Sequence, residues 1–409
     1  MWTVSRHRSV QFAFLALCIA GCILPAASQE STTSPAAVTV RAPDAFYDPP
    51  AERPGKPGEL LRSEPLKDVT LPYGLRGWRI LYTTTIDDQT PATAVATVFA
   101  PGNMPEGPRP VIMWEHGTTG LLQKCMPSLA SAPTMGIPAL DHVARAGWVI
   151  VATDYAFAEK GGPHPYIIGE GEARSGLDSV RAARQMPELK LDKHTVVWGH
   201  SQGGHAALWT GIVGPRYAPD VEIAGIAAIA PPGNMLDLLN MNLPLDKRLG
   251  PYLAMAYSRF YPDIKFDDVV RPEARVAARE MTSLCGFLPL EDPVRMMALA
   301  GTFDGRALAI RINAALDARL AQNTAKDPID APLVIAQGLS DVVVLPDATT
   351  IYVKQRCSAG QQIDYWTFMG IDHGTIIQPG SPLEAPLIAW TIARFADDAA
   401  LPGCTRTVF

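Results

Sequence analysis

The sequence predicts an α/β fold, a mostly parallel sheet covered by helices, with a helical segment inserted near its middle. Three observations predict it. Short β-branched or apolar runs alternate with helix-compatible stretches through most of the chain, which is how a parallel sheet with crossover helices reads. That rhythm stops between Gly233 and about Asp330, where the pattern turns helical and proline-interrupted. At 195–213 an apolar run, a Gly-x-Ser-x-Gly turn and a helical segment follow one another directly. The chain has 409 residues, 47% of them hydrophobic, enough to bury one large core with an insertion. A net charge of −6 with 19% charged residues gives no basic surface for nucleic acid.

The N-terminus reads as an export signal. Arg6, His7 and Arg8 precede an uncharged apolar run from Val10 to Ile23. Two processing sites compete. Ala26-Ala27-Ser28 offers small residues for cleavage before Gln29, making residues 1–28 the signal of a secreted or periplasmic protein. Ile19-Ala20-Gly21-Cys22 instead resembles a lipoprotein box, which would tether the protein to the cell envelope through a lipidated Cys22. Residues 29–60, rich in Pro, Ser, Thr and Ala, read as a tether and an extended arm.

The core then occupies 61–232 and 331–409. Trp78 to Thr85 and Thr93 to Phe99 form a strand pair. Val111 to Trp114 is a buried strand ending at His116-Gly117, and Trp148 to Thr153 another ending at Asp154. Ala173 to Met186 has a helical period, with Leu177, Val180 and Ala183 on one face. Thr195 to Trp198, Ile223 to Ala230, Leu333 to Ala336 and Tyr365 to Phe368 are further strands, and Leu387 to Phe395 is a closing helix. The insertion, 233–330, stands where helical caps arise on such sheets. Its methionines, among them Met235, Met255 and Met281, suit either an acyl-binding surface or the cap's own packing.

Strand, tight turn and helix give Gly199-His200-Ser201-Gln202-Gly203 the context of a nucleophile elbow. A serine hydroxyl needs a base, and the base needs a carboxylate to fix its tautomer. On this architecture the chain order is Ser, acid, His. Two histidines follow Ser201. His205 lies one helical turn on and points away, whereas His373 sits in a loop after an apolar strand and is the expected base. Asp341 follows the strand Leu333–Ala336 and is the expected carboxylate, with Asp347 as the alternative; Asp154 and Asp372 are assigned elsewhere. The oxyanion donors are expected from the backbone N–H groups of Gln202 and Thr118, with Thr119 in reserve and His116 as a buttress. Such a site runs acyl transfer without metal or organic cofactor, on an ester, a peptide or an alcohol acceptor. Four cysteines lie beyond the signal, Cys125, Cys285, Cys357 and Cys404. Their even number in an exported chain suggests two disulfides, with three pairings open, or else four buried thiols, and their spacing suits no metal.

With these residues assembled, the chain resembles the secreted lipases of fungi and actinobacteria. The resemblance rests on Asp44-x-Phe46-Tyr47, Pro57-Gly58-Glu59-Leu60-Leu61-Arg62, the His116-Gly117-Thr118-Thr119-Gly120 loop leading to Cys125 and Pro127, the elbow, the cap, Asp341 and His373. It implies an α/β-hydrolase with a helical lid that hydrolyses carboxylic esters, often lipids, as an exported serine hydrolase. It also implies the pairings Cys125–Cys285 and Cys357–Cys404. The yeast members carry an acid at the oxyanion site, and the loop at 116–120 has none at its centre.

Overall fold

A computed structural model describes residues 38–50, 55–69, 71–103, 106–157, 164–241, 248–286, 293–302 and 310–409. The export segment, with Cys22 and both processing sites, lies outside the described residues.

Ten strands form one sheet: β1 (Leu60–Pro65), β2 (Leu75–Thr85), β3 (Pro91–Pro101), β4 (Arg109–Glu115), β5 (Val149–Phe157), β6 (Leu191–His200), β7 (Glu222–Ile229), β8 (Leu333–Gly338), β9 (Ile363–Phe368) and β10 (Cys404–Val408). Their spatial order is β1-β2-β3-β5-β4-β6-β7-β8-β9-β10. The β1–β2, β2–β3 and β3–β5 pairs are antiparallel, and every pair from β5 to β10 is parallel. Alternation along the central strands divides two cores. Val111, Met113 and Val197 face helices α2 (Gly169–Ala183), α3 (Gln202–Tyr217) and α10 (Pro346–Ser358). Ile112, Trp114, Val196 and Trp198 face α1 (Leu140–Ala146) and α11 (Glu384–Phe395). Burial on both faces is why these strands read as continuous apolar runs.

The strand expected to end at Asp154 runs on to Phe157. Ala94 pairs with Ala156 and Ala96 with Thr153, so Asp154 and Tyr155 oppose one residue of β3 in a bulge. Tyr155 takes a positive φ of 63° there. The bulge breaks the alternation, which is why the pattern ends early. Asp154 is buried in it and accepts from the backbone N–H of Ser128 at 3.1 Å and from the Ser128 hydroxyl.

Between β7 and β8 the chain leaves the sheet and forms α4 (Met235–Met241), α5 (Leu249–Phe260), α6 (Phe266–Val269), α7 (Arg275–Met281), α8 (Pro293–Gly301) and α9 (Ala314–Gln322). These helices share a core of their own around Leu238, Leu253, Val269, Met281 and Leu316. Met235, Met255, Met281 and Met296 are buried in it, while Met241 and Met297 are exposed. Most of the cap's methionines are therefore packing. Two disulfides, Cys125–Cys285 and Cys357–Cys404, close loops of 160 and 47 residues. The first ties the loop after β4 to the cap, and the second ties α10 to the sheet-edge strand β10.

Candidate active site

Ser201 sits between the end of β6 and the start of α3 at φ 57°, ψ −119°, a conformation that costs a non-glycine residue roughly 1–3 kcal/mol and persists only where its surroundings impose it. They do impose it. The Ser201 N–H donates to the Ile229 carbonyl of β7 at 2.9 Å. A Cβ at Gly199 would stand 1.9 Å from the Gly203 carbonyl oxygen, and one at Gly203 would stand 1.8 Å from that of Glu115. Neither position admits a side chain, so the two flanking glycines let α3 press onto β4 and β6 and lift the serine at the turn.

The Ser201 hydroxyl meets His373 Nε2 at 2.9 Å, and His373 Nδ1 meets Asp341 Oδ2 at 2.7 Å. The loop after β9 carries His373 and the turn after β8 carries Asp341, so two adjacent parallel strands deliver both groups to the end of β6. The Asp341 carboxylate is buried and fully engaged. Oδ1 accepts from the N–H groups of Val343 and Val344 at 2.8 and 2.9 Å, and Oδ2 accepts from Gln337 Nε2 at 3.0 Å. Those bonds aim one lone pair at the imidazole. Asp347 is exposed in the first turn of α10, and Asp372 accepts from the N–H groups of Gly374 and Thr375 within its own loop.

Thr118, Ser201 and Gln202 line one small cavity, which puts both expected oxyanion positions beside the serine. The Thr118 hydroxyl lies 3.1 Å from that of Tyr166, and the Thr119 carbonyl accepts from Gly286 N–H of the cap at 2.7 Å. The His116 ring lies tilted against that of Tyr155, centroids 4.5 Å apart, and burial holds its pKa down at about 4, so it stays neutral behind the loop. Tyr155 donates its hydroxyl to the His116 carbonyl at 2.9 Å.

Three further residues support the site without having been singled out for it from the sequence. His200 donates from Nε2 to the His373 carbonyl at 2.8 Å, and the two rings lie 4.7 Å apart. Burial, reinforced by His373, holds His200 well below the usual histidine range, so it is neutral and acts as a donor. Gln337 braces Asp341 and is itself held by Thr349 at 2.8 Å. Glu172 of α2, fully buried, accepts from Gln202 Nε2 at 2.9 Å and from Ile167 N–H at 2.9 Å, and lies 3.0 Å from His205 Nδ1. His205 therefore faces away from Ser201, its other nitrogen donating to the Asn323 carbonyl at 2.8 Å. His200 occupies the motif's second position, which is its one sequence signal; Gln337 and Glu172 have none.

Among the described residues no cluster of His, Cys, Asp and Glu could hold a metal ion.

Comparison with known proteins gives the family and the fold. The secretory lipase family matches residues 133–403. A secreted triacylglycerol lipase of Malassezia globosa is 25% identical over 386 residues, spanning 88% of this chain and 83% of its own. A Mycobacterium tuberculosis protein named "Probable inactive lipase" is 24% identical over 397 residues, spanning 90% and 85%. The solved structure of Candida antarctica lipase A superposes with a TM-score of 0.67 at 18% identity, covering 87% of this chain and 86% of that one, and so shares the α/β-hydrolase fold.

Proposed function

The chain belongs to the secretory lipase family, and from that premise we propose that it is an exported serine hydrolase that cleaves carboxylic esters through an acyl-enzyme. The observation that carries the reading is the unbroken chain Ser201 Oγ–His373 Nε2, His373 Nδ1–Asp341 Oδ2, at 2.9 and 2.7 Å. His373 Nε2 takes the hydroxyl proton as Ser201 Oγ bonds to the ester carbonyl carbon. The backbone N–H groups of Gln202 and Thr118 receive the oxyanion. As the intermediate collapses, the carbon–oxygen bond to the alcohol breaks and His373 returns its proton to the leaving alkoxide. Water then attacks the acyl-enzyme, His373 again holding the proton, and the acid leaves with Ser201 restored. Asp341 remains a carboxylate throughout, fixing the Nδ1–H tautomer and stabilising the imidazolium.

The secretory family and the two disulfides support a location outside the cytoplasm. The test is turnover of chromogenic esters by the wild type and by Ser201→Ala. The variant should lose at least about 10³-fold in kcat while keeping its melting temperature. Turnover within about tenfold of wild type would remove Ser201 from the chemistry.

A further inference from the structure

Ser201 stands between two spaces of very different size. One, of about 20 Å³, is lined by Thr118, Gln202, Pro232, Met235, Leu238 and Val344, under the cap. The other, of about 780 Å³, contains Ser201 and His373 and runs between the segments around Ala130–Asp141 and Gly374–Glu384. Trp114, Ile137, Ala139 and Ala152 form its buried apolar walls, and exposed Met135 and Gln378 stand toward solvent.

Chemistry assigns the two spaces. The group that protonates the leaving oxygen is His373, so the alcohol half of the ester lies on the side that His373 lines. Thr118 and Ser201 line both spaces, but the small cavity has Gln202 and not His373, so it takes the acyl half. A space of about 20 Å³ admits roughly one water-sized group beyond the carbonyl. A space of about 780 Å³ is the size of a site that buries a drug-sized ligand. Resting on the ester-hydrolase reading above, we propose that the substrates of this enzyme are esters of a small acyl group with a bulky, predominantly apolar alcohol, the alcohol occupying the cleft between Ala130–Asp141 and Gly374–Glu384.

Two substrate series test this on the purified enzyme. The first holds the acyl group at acetyl and enlarges an alkyl alcohol from ethyl through cyclohexyl to menthyl. The second holds 4-nitrophenol and lengthens the acyl chain from acetyl through octanoyl to palmitoyl. The expected result is a kcat/KM for menthyl acetate at least equal to that for ethyl acetate. In the second series kcat/KM falls by at least about tenfold from acetyl to octanoyl, the size of effect that a few misfitting methylenes produce. Ala132→Trp, which places an indole in the half-buried wall of the cleft, should lower the menthyl-to-ethyl ratio by about tenfold or more. Leu238→Ala should raise the octanoyl-to-acetyl ratio by opening the acyl side. A wild-type preference for octanoyl or palmitoyl over acetyl overturns the proposal, as does a menthyl-to-ethyl ratio that Ala132→Trp leaves unchanged. The wild-type series decides the matter even where a variant does not fold. Ser201-dependent hydrolysis with the opposite preference sinks this inference alone, whereas no Ser201-dependent hydrolysis of any ester sinks the functional reading and the inference together.

Discussion

Replacing Asp341 by asparagine tests the candidate triad at its most constrained point. The carboxylate meets four donors: Val343 and Val344 N–H on Oδ1, and His373 Nδ1 and Gln337 Nε2 on Oδ2. An amide has one oxygen. If that oxygen faces His373, the amide NH₂ confronts two backbone N–H groups, one buried and one partly buried, and an unpaired buried donor costs about 1–3 kcal/mol. If it faces the backbone, the NH₂ confronts Gln337 and the imidazole. The imidazole answers by moving its proton to Nε2, where it points at Ser201 and cannot accept the hydroxyl proton. The second arrangement leaves fewer buried donors unpaired, so it prevails, and the enzyme rests in the wrong tautomer. The expected loss is about 10³–10⁴-fold in kcat, equivalent to roughly 4–5.5 kcal/mol of transition-state stabilisation, with KM little changed. The assay is steady-state hydrolysis of 4-nitrophenyl acetate, with a melting curve to show that the variant folds. A folded Asp341→Asn enzyme within about tenfold of wild type would refute the reasoning, because neither amide orientation leaves the histidine a competent base.

Other consequences follow from the same contacts. Cys125→Ser/Cys285→Ser opens a loop of 160 residues and Cys357→Ser/Cys404→Ser one of 47. Loop entropy sets upper estimates near about 5 and about 4 kcal/mol of lost stability by urea unfolding. Only the first pair should also lower kcat, since it ties the cap to the loop bearing Thr118 and Thr119, and an equal kinetic effect from both would reject that link. His200→Phe keeps a ring beside His373 but loses the 2.8 Å bond to its carbonyl. It should lower kcat by about tenfold at unchanged KM, with the melting temperature lowered by the few degrees that one lost hydrogen bond costs, and a shift in KM alone would speak against it. Burial raises the Asp154 carboxyl from 3.8 to about 7, against the bonds from Ser128 that lower it. Between pH about 4 and about 7 the folded state holds a proton that the unfolded state has released, so stability falls as pH rises through that window, by up to roughly 4 kcal/mol. Asp154→Asn should flatten that part of the stability profile, and a slope unchanged from wild type would show that another group titrates there.

The parts of the fold that could be read from the sequence are those whose burial is uniform. β4, β6, β7 and β8 are apolar on both faces, so Val111–Trp114 and Leu333–Ala336 announce themselves. The edge strands do not. β1 carries Arg62, Ser63 and Glu64, and β10 carries Thr405, Arg406 and Thr407, polar residues that an edge tolerates because one side faces solvent. α10 hides its period differently. Its buried face is Ala348, Thr349, Tyr352, Val353 and Arg356, helically spaced but partly polar, and Arg356 is buried because it donates to the Asp327 carbonyl at 2.8 Å. The loop positions of His373 and Asp341 were legible through chain order, since strand sequence fixes which loops reach the end of β6.

What no local pattern could reveal is the set of contacts that hold Ser201 in its conformation. Its N–H is fixed by β7, the glycine after it is pressed onto the Glu115 carbonyl of β4, and the side chain of Gln202 is anchored by Glu172 from α2. The histidine before it pins the loop that carries the base. Each restraint comes from a different element, so each is invisible until the sheet is assembled. Together they explain the form of the motif. Residues two before and two after the serine must be glycine because α3, β4 and β6 meet there at backbone contact. The position between the first glycine and the serine is free to vary in a turn of this kind, and here it holds a neutral histidine that donates to the base's own carbonyl. The elbow and the histidine loop are thereby one mechanical unit, in which displacing His200 moves the base relative to the nucleophile through its bond to the His373 carbonyl.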